Sequence, residues 1–284
     1  MRLMSLQLLL GPRSGAQAAW GGVLHGFVER AAMNHAPELL PLLRPGGRQA
    51  PAHFAVLPPP VTDGPQAESA DEDDPEPLDF GIVLFGALAE QADELAQALR
   101  MQCASRLHGR LARLGEVRVI DAPSHLPALA VEPASAIRLH RLELRAPLLL
   151  ASGSATHAGW RQYRHLPWPS LGSVLESIAA RLRVLAPTQA AQLGLDALPA
   201  RLRWRAAPAQ WQIEPLTPAS RPAREIVLPY QTREHHLAPS GLIGTLIYPS
   251  HHPEQEAALL YWGQWVGVGQ KTTMGFGSYA WIPS

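Results

Sequence analysis

The sequence predicts an α+β protein built as two tandem ferredoxin-like halves, the second carrying a glycine-rich loop. Three observations predict it. Strand-like alternations and helical periodicities follow one another in an order that repeats after residue 137. Pro123–Pro133, with three prolines in eleven residues, reads as a linker between the two runs. The pattern G-h-G-x5-G-h-G, where h is apolar, fills Gly267–Gly277 between the last predicted helix and the last predicted strand.

In the first half, residues 1–130, Leu3–Leu10 is interrupted by Ser5 and Gln7 and runs into Gly11-Pro12. Alternation that ends in a turn suits a strand better than an export signal. Gln17–Ala32 has helical periodicity, with Trp20, Val23, Leu24 and Phe27 roughly on one face, and Pro37–Leu43 reads as a second, short helix. A further strand fits residues 52–57. Residues 58–77 are rich in proline and acid and have almost nothing large and apolar to bury, so they read as a loop insertion. Leu78–Phe85 is then a strand, Ala87–Gln102 a strongly periodic helix and Glu116–Asp121 a strand. The second half, residues 135–284, repeats the plan. Leu139–Leu144 is its first strand and Pro169–Leu185 an amphipathic helix. Leu202–Gln212 and Glu225–Tyr230 are strands around a proline-rich bend. Leu242–Tyr248 is a strand, Glu254–Gly263 a helix, and Gly277–Ile282 the closing strand.

Composition narrows the chemistry. The chain has 284 residues, 46% of them apolar, and no run of 18 uncharged apolar residues, so no conventional membrane span is expected. A single cysteine, Cys103, excludes an internal disulfide and a multi-cysteine zinc site, and fits a cytoplasmic protein. The formal net charge of zero hides a segregation: residues 63–79 hold eight acidic groups and no basic one. The remainder has 24 basic against 16 acidic residues. Lys271 is the only lysine, so the surplus is carried by arginine, which binds phosphate through a planar fork. High genomic GC content also exchanges lysine for arginine, but it does not create the positive surplus.

The glycine pattern has two physical uses: holding an anion on backbone amides, or packing tightly against protein. It is not a nucleotide site. Lys271 follows Gln270 rather than glycine, and the loop lies after a helix and before a strand, the reverse of the dinucleotide-binding order. Arg106, Arg110 and Arg113 are spaced i, i+4, i+7, so a helix over 104–114 would place them on one face, solvated or gripping phosphate. His235-His236 and His251-His252 resemble paired metal ligands, but no acidic or cysteine partner stands at ligand spacing, and they read as surface loops. No metal or other cofactor is called for. Trp204, Trp211, Trp262 and Trp265 read as core residues.

Four segments in order carry a resemblance: GVLHGFVERAA (Gly22–Ala32), PELLPLLR (Pro37–Arg44), LDFGIVLFGAL (Leu78–Leu88) and WVGVGQKTTMGFGSY (Trp265–Tyr279). Together they resemble the RAMP superfamily of CRISPR-associated RNA-binding proteins, whose halves are RRM-like. Within it, the chain resembles the endoribonucleases that cut CRISPR precursor RNA at its repeats. The resemblance implies metal-independent cleavage by a ribose 2′-hydroxyl, with repeat RNA, its crRNA product and other CRISPR effector subunits as partners, and no membrane. It places His25 where relatives carry a catalytic Tyr or His, as the candidate base. Arg44 stands where many members have histidine and Arg48 where lysine is common; both are expected to stabilise phosphate charge, since arginine cannot act as a base at neutral pH. His35 is the reserve acid or base. The loop residues Gly267, Gly269, Gln270, Lys271, Thr272, Thr273, Gly275 and Gly277 are expected to grip RNA, as are Arg106, Arg110 and Arg113. The main rival reading is a non-catalytic RNA-binding RAMP subunit, because Arg44 replaces the usual histidine.

Overall fold

The computed structural model describes residues 1–10, 20–44, 52–58, 76–102, 104–107, 110–121, 138–157, 160–165, 169–195, 224–227, 230–231, 236–237, 240–269 and 272–284. Two compact units form: Met1–Ser124 with Thr273–Gly275, and His125–Thr272 with Phe276–Ser284. The predicted strand Leu202–Gln212, the linker Pro123–Pro133, most of the acidic insertion, Trp204 and Trp211 lie outside the described residues.

The first unit runs β1 (Arg2–Leu10), α1 (Trp20–His35), a 3-10 turn (Pro37–Leu39), α2 (Leu40–Leu43), β2 (Phe54–Leu57) and β3 (Glu76–Leu84). It continues with α3 (Gly86–Glu90), α4 (Ala92–Gln102), β4 (Ala104–Leu107) and β5 (Arg110–Asp121). The sheet order is β2-β3-β1-β5-β4. Without the edge strand β4, this is the ferredoxin-like arrangement, with the first strand at the centre between the third and the last. Period-two alternation makes it work: Met4, Leu6 and Leu8 of β1 are buried, while Leu3, Ser5, Gln7 and Leu9 are only partly so. On α1 the buried residues Leu24, Phe27, Val28, Ala31 and Ala32 form one stripe at i, i+3, i+4, i+7 and i+8. Leu95 and Leu99 of α4 join the same core.

Three expectations change here. Residues 104–107 and 110–114 are strands, not a helix: β4 and β5 pair with Arg106 opposite Leu111, Arg110 opposite Leu107 and Arg113 opposite Ala104. Helical spacing loses its meaning on a strand, and positions 110 and 113 have opposite parity, so no shared face follows. The strand after the insertion starts at Glu76, not Leu78, because β1 extends to Leu10 and offers Leu9 and Leu10 as partners for Pro77 and Glu76. The helix expected over Ala87–Gln102 is divided at Gln91, whose backbone relaxes to φ −100° and ψ 21°; α4 restarts with Asp93 and Glu94 in its first turn. One bulge bends the centre of the sheet: Gln7 faces Glu116 and Leu8 faces Leu114, leaving Gly115 unpaired.

The second unit runs β6 (Leu139–Leu148), β7 (Ala151–His157), β8 (Trp160–His165), α5 (Leu171–Leu185), α6 (Pro187–Gln192), β9 (Arg224–Val227), β10 (Tyr230–Gln231) and β11 (His236–Leu237). It ends with β12 (Ser240–Pro249), α7 (Pro253–Val266) and β13 (Tyr279–Pro283); of the 3-10 turn Thr272–Met274 that precedes β13 in the chain, Thr272 belongs to this unit and the other two residues to the first. The sheet order β13-β6-β12-β9 is the same arrangement again. The α5 helix is capped by Ser170, whose hydroxyl accepts from the Ser173 amide at 3.2 Å. It buries Leu171, Val174, Leu175, Ile178, Leu182 and Leu185. The β7–β8 hairpin is an addition that the periodicity did not announce. Trp262 is buried, as expected of a core residue.

A buried polar cluster anchors the start of α7. The Glu256 carboxylate accepts from His140 Nε2 at 3.0 Å, from the Ser250 hydroxyl at 2.8 Å and from the His251 amide at 3.1 Å. Trp281 Nε1 donates to His140 Nδ1 at 3.3 Å, so a neutral ring with its proton on Nε2 satisfies every contact. Burial works to raise the Glu256 pKa, but these donors outweigh it and hold it below the usual 4.5. A depressed carboxylate stabilises the fold fully above its unfolded pKa, and that contribution fades as pH falls through the folded value. Glu256→Gln is therefore expected to cost about 2 kcal/mol near neutral pH. The difference from wild type should shrink in acid, as read by urea denaturation across pH.

Candidate active site

On α1, His25 and Glu29 stand one turn apart, so both side chains share one edge of the helix. His25 is partly exposed and Glu29 is buried. His25 Nε2 lies 3.1 Å from Glu29 Oε1, and its ring stacks on Phe54 of β2 with centroids 5.4 Å apart. Arg44, just past α2, donates from Nε to Glu29 Oε1 at 2.5 Å and from Nη2 to Glu29 Oε2. The carboxylate is thus held from two sides. Burial would raise its pKa, but the hydrogen bonds from Arg44 and His25 prevail and lower it to about 2. It is ionised throughout the neutral range, and its stabilising contribution fades only as pH falls from about 4.5 towards 2. The second ring nitrogen, His25 Nδ1, lies 3.2 Å from the carbonyl oxygen of Thr273.

Of the expected catalytic residues, the structure brings His25 and Arg44 together through Glu29, a residue that sequence reasoning passed over. Its i+4 spacing from His25 was the available signal. His35 is not part of the cluster: ten residues further along α1, it lies roughly 15 Å away at 1.5 Å per residue. Arg48, Gln270 and Lys271 lie outside the described residues; of Arg106 and Arg110 only the strand register is described, and Arg113 is exposed.

The glycine-rich segment follows α7. Gly267, Gly269, Gly275 and Gly277 all have φ between 70° and 81°. Their surroundings are protein. A Cβ on Gly269 would come within 2.2 Å of the Leu149 carbonyl oxygen, and one on Gly277 within 1.8 Å of that of Val268. The amides of the first stretch are also used internally: Gly267 donates to Gly263, Val268 to Gly277 at 3.1 Å, and Gly269 to the Ser177 hydroxyl at 2.8 Å. Arg181, one turn beyond Ser177 on α5, donates to the last helical carbonyl of α7, Val266, at 2.7 Å. Burial lowers its pKa to about 10, and it stays charged at neutral pH. Between the two uses of the glycine pattern, the described part serves packing, and the expectation of phosphate on the amides of Gly267, Val268 and Gly269 is corrected. Thr272 is buried and Thr273 contributes its carbonyl to His25.

The sheet of the first unit does not offer the stacking surface of an RNA-recognition motif. Phe54 and Phe80 lie in the core. The face away from the helices carries Gln7 bonded to Asp79 at 3.1 Å and Arg118 paired with Glu116 at 2.5 Å, with no aromatic residue among those described. No group of three or more metal-ligating side chains occurs among the described residues, and no described helix is long and apolar enough to cross a membrane.

The chain thus carries two ferredoxin-like units, with four positive-φ glycines between its last helix and its last strand. The family model of the CRISPR-associated endoribonuclease Cas6 matches residues 142–279, just under half of the chain, and supports a Cas6-type family. Among solved structures, a Cas6 product complex superposes with a TM-score of 0.61 at 18% identity, covering 99% of each chain. A RAMP protein described as binding different RNA substrates gives 0.56 at 12% identity over 99% of this chain and 100% of that one. The product of a Cas6-related gene from Pyrococcus furiosus gives 0.53 at 12% identity over 99% and 98%. At these identities the superpositions establish the fold. No curated protein sequence matches the chain.

Proposed function

We propose that the chain binds the repeat of a CRISPR precursor RNA and cuts it without a metal ion. The observation that carries this reading is the cluster of His25 and Glu29 on the first helix with Arg44 just past α2, in a chain that matches a Cas6 family model. In the reaction, the ribose 2′-oxygen attacks the adjacent phosphorus and the bond from phosphorus to the 5′-oxygen breaks. The 2′-hydroxyl loses its proton and the leaving 5′-oxygen gains one, so the products are a 2′,3′-cyclic phosphate and a 5′-hydroxyl. His25 is the residue of the cluster able to exchange that proton at neutral pH.

Charge on the phosphate falls to the cations. Glu29 offsets Arg44, so the cluster is net positive only while the His25 ring is protonated. Arg48 and Lys271 supply the remaining positive charge in this reading, with Arg106, Arg110 and Arg113 on the RNA flanks. Product RNA passes to other CRISPR subunits, in the cytoplasm. The replacement of histidine by Arg44 favours a second reading, a subunit that binds RNA without cutting it.

Purified protein incubated with repeat RNA in EDTA is expected to release a 5′-hydroxyl fragment. A single 2′-deoxy substitution at the scissile ribose is expected to abolish the cut while binding persists. Tight binding with no cleavage of the all-ribose RNA would establish the non-catalytic reading instead.

A further inference from the structure

We infer that Glu29 is the positioning residue of this cleavage: its carboxylate keeps a proton on His25 Nε2, which leaves Nδ1 as the nitrogen that exchanges a proton with RNA. The inference rests on the proposed function and adds an assignment within its site.

The argument is one of hydrogen-bond valence. The two atoms facing the imidazole, Glu29 Oε1 at 3.1 Å from Nε2 and the Thr273 carbonyl oxygen at 3.2 Å from Nδ1, are both acceptors. A neutral ring has one N–H and can satisfy only one of them. The carboxylate has the stronger claim, because its bond is charge-assisted and its ionised form is secured by two donors from Arg44. Glu29 is also the less free to move: it is buried on α1, whereas Thr273 belongs to the short turn Thr272–Met274. The Phe54 ring, stacked at an interplanar angle of 12°, holds the imidazole plane so that both edges stay aligned. Nε2 is thereby committed to the protein.

Nδ1 differs in kind. Its partner is a neutral carbonyl, which an RNA oxygen can replace with no loss of hydrogen bonding. The Thr273 oxygen stands where the reacting ribose or leaving oxygen must come for His25 to exchange its proton. Arg44 enters the same device from the other side, since it keeps Glu29 ionised.

Two measurements test the assignment. In full-length protein labelled with 15N-histidine, the His25 ring is expected to carry its proton on Nε2 throughout the neutral range, the signal being assigned by its loss in His25→Asn. A neutral ring protonated on Nδ1 alone would overturn the proposal. Single-turnover cleavage by Glu29→Gln is expected to fall roughly 100-fold, with repeat-RNA affinity within about twofold of wild type. In a His25→Ala background the same substitution should cause no further loss. Wild-type cleavage by Glu29→Gln, or an equal loss in both backgrounds, would reject a role through His25. If Glu29→Gln does not fold, the ring spectrum of the wild type still decides. A wild-type chain that binds repeat RNA without cutting it defeats the proposed function, while the ring spectrum judges the hold of Glu29 by itself.

Discussion

His25→Ala is expected to slow cleavage of repeat RNA by roughly 10²–10⁴-fold, the usual loss when a positioned acid or base is removed. Binding should survive, because His25 is one contact among many with the RNA. The fold should survive as well. Glu29 keeps both hydrogen bonds from Arg44, so no buried charge is stranded. The substitution loses the stack on Phe54, worth about 1 kcal/mol. His35→Ala serves as the control: it ends the same helix outside the cluster, and its rate should stay within about twofold of wild type. Single-turnover rates on denaturing gels, with affinities from filter binding, separate the two effects. Undiminished cleavage by His25→Ala would move the chemistry to another residue and leave the family resemblance untouched.

Gly277→Ala is expected to destabilise the second unit by about 4 kcal/mol, a sum of overpacking and backbone strain of 1–3 kcal/mol each. The cause is local and unavoidable. Gly277 has a φ of 70°, and an added Cβ would lie 1.8 Å from the Val268 carbonyl oxygen, so neighbouring backbone would have to shift. The same shift would break the hydrogen bond from the Val268 amide to Gly277. Because Gly269 donates to Ser177 beside that turn, the damage should spread to the contact with α5. At about 2–4 °C per kcal/mol, thermal unfolding should move down by about 10 °C. Gly26→Ala provides the contrast. Gly26 is inside α1 with nothing within 4 Å of the added Cβ, and there the substitution should stabilise by about 0.5–1 kcal/mol. If Gly277→Ala melted like wild type, the packing role of the loop would be refuted.

Legibility followed the range of the interaction. The strands at Leu3–Leu10 and Leu139–Leu144, the helix at Pro169–Leu185 and the helix after His252 were readable because each buries a face whose period is local. The arginine stripe of residues 104–114 was not decidable for the same reason. Three arginines at helical spacing look alike on a helix and on a hairpin until β5 finds β1, and that pairing is not local. Glu29 was overlooked because a carboxylate on a helix is ordinarily a solvated surface group. Only Arg44, fifteen positions away, makes it a buried hub.

By itself the sequence determined the doubled ferredoxin-like plan, the resemblance to a family and the presence of His25 on the first helix, since periodicity, turn residues and short motifs are all encoded within a few residues. Tertiary structure decided what surrounds that histidine. It set acceptors at both ring nitrogens, a bidentate arginine behind the carboxylate and a protein rather than RNA partner for the amides of Gly267, Val268 and Gly269. Hydrogen-bond partners and close backbone approaches join residues distant in sequence, so they exist only once the chain has closed upon itself.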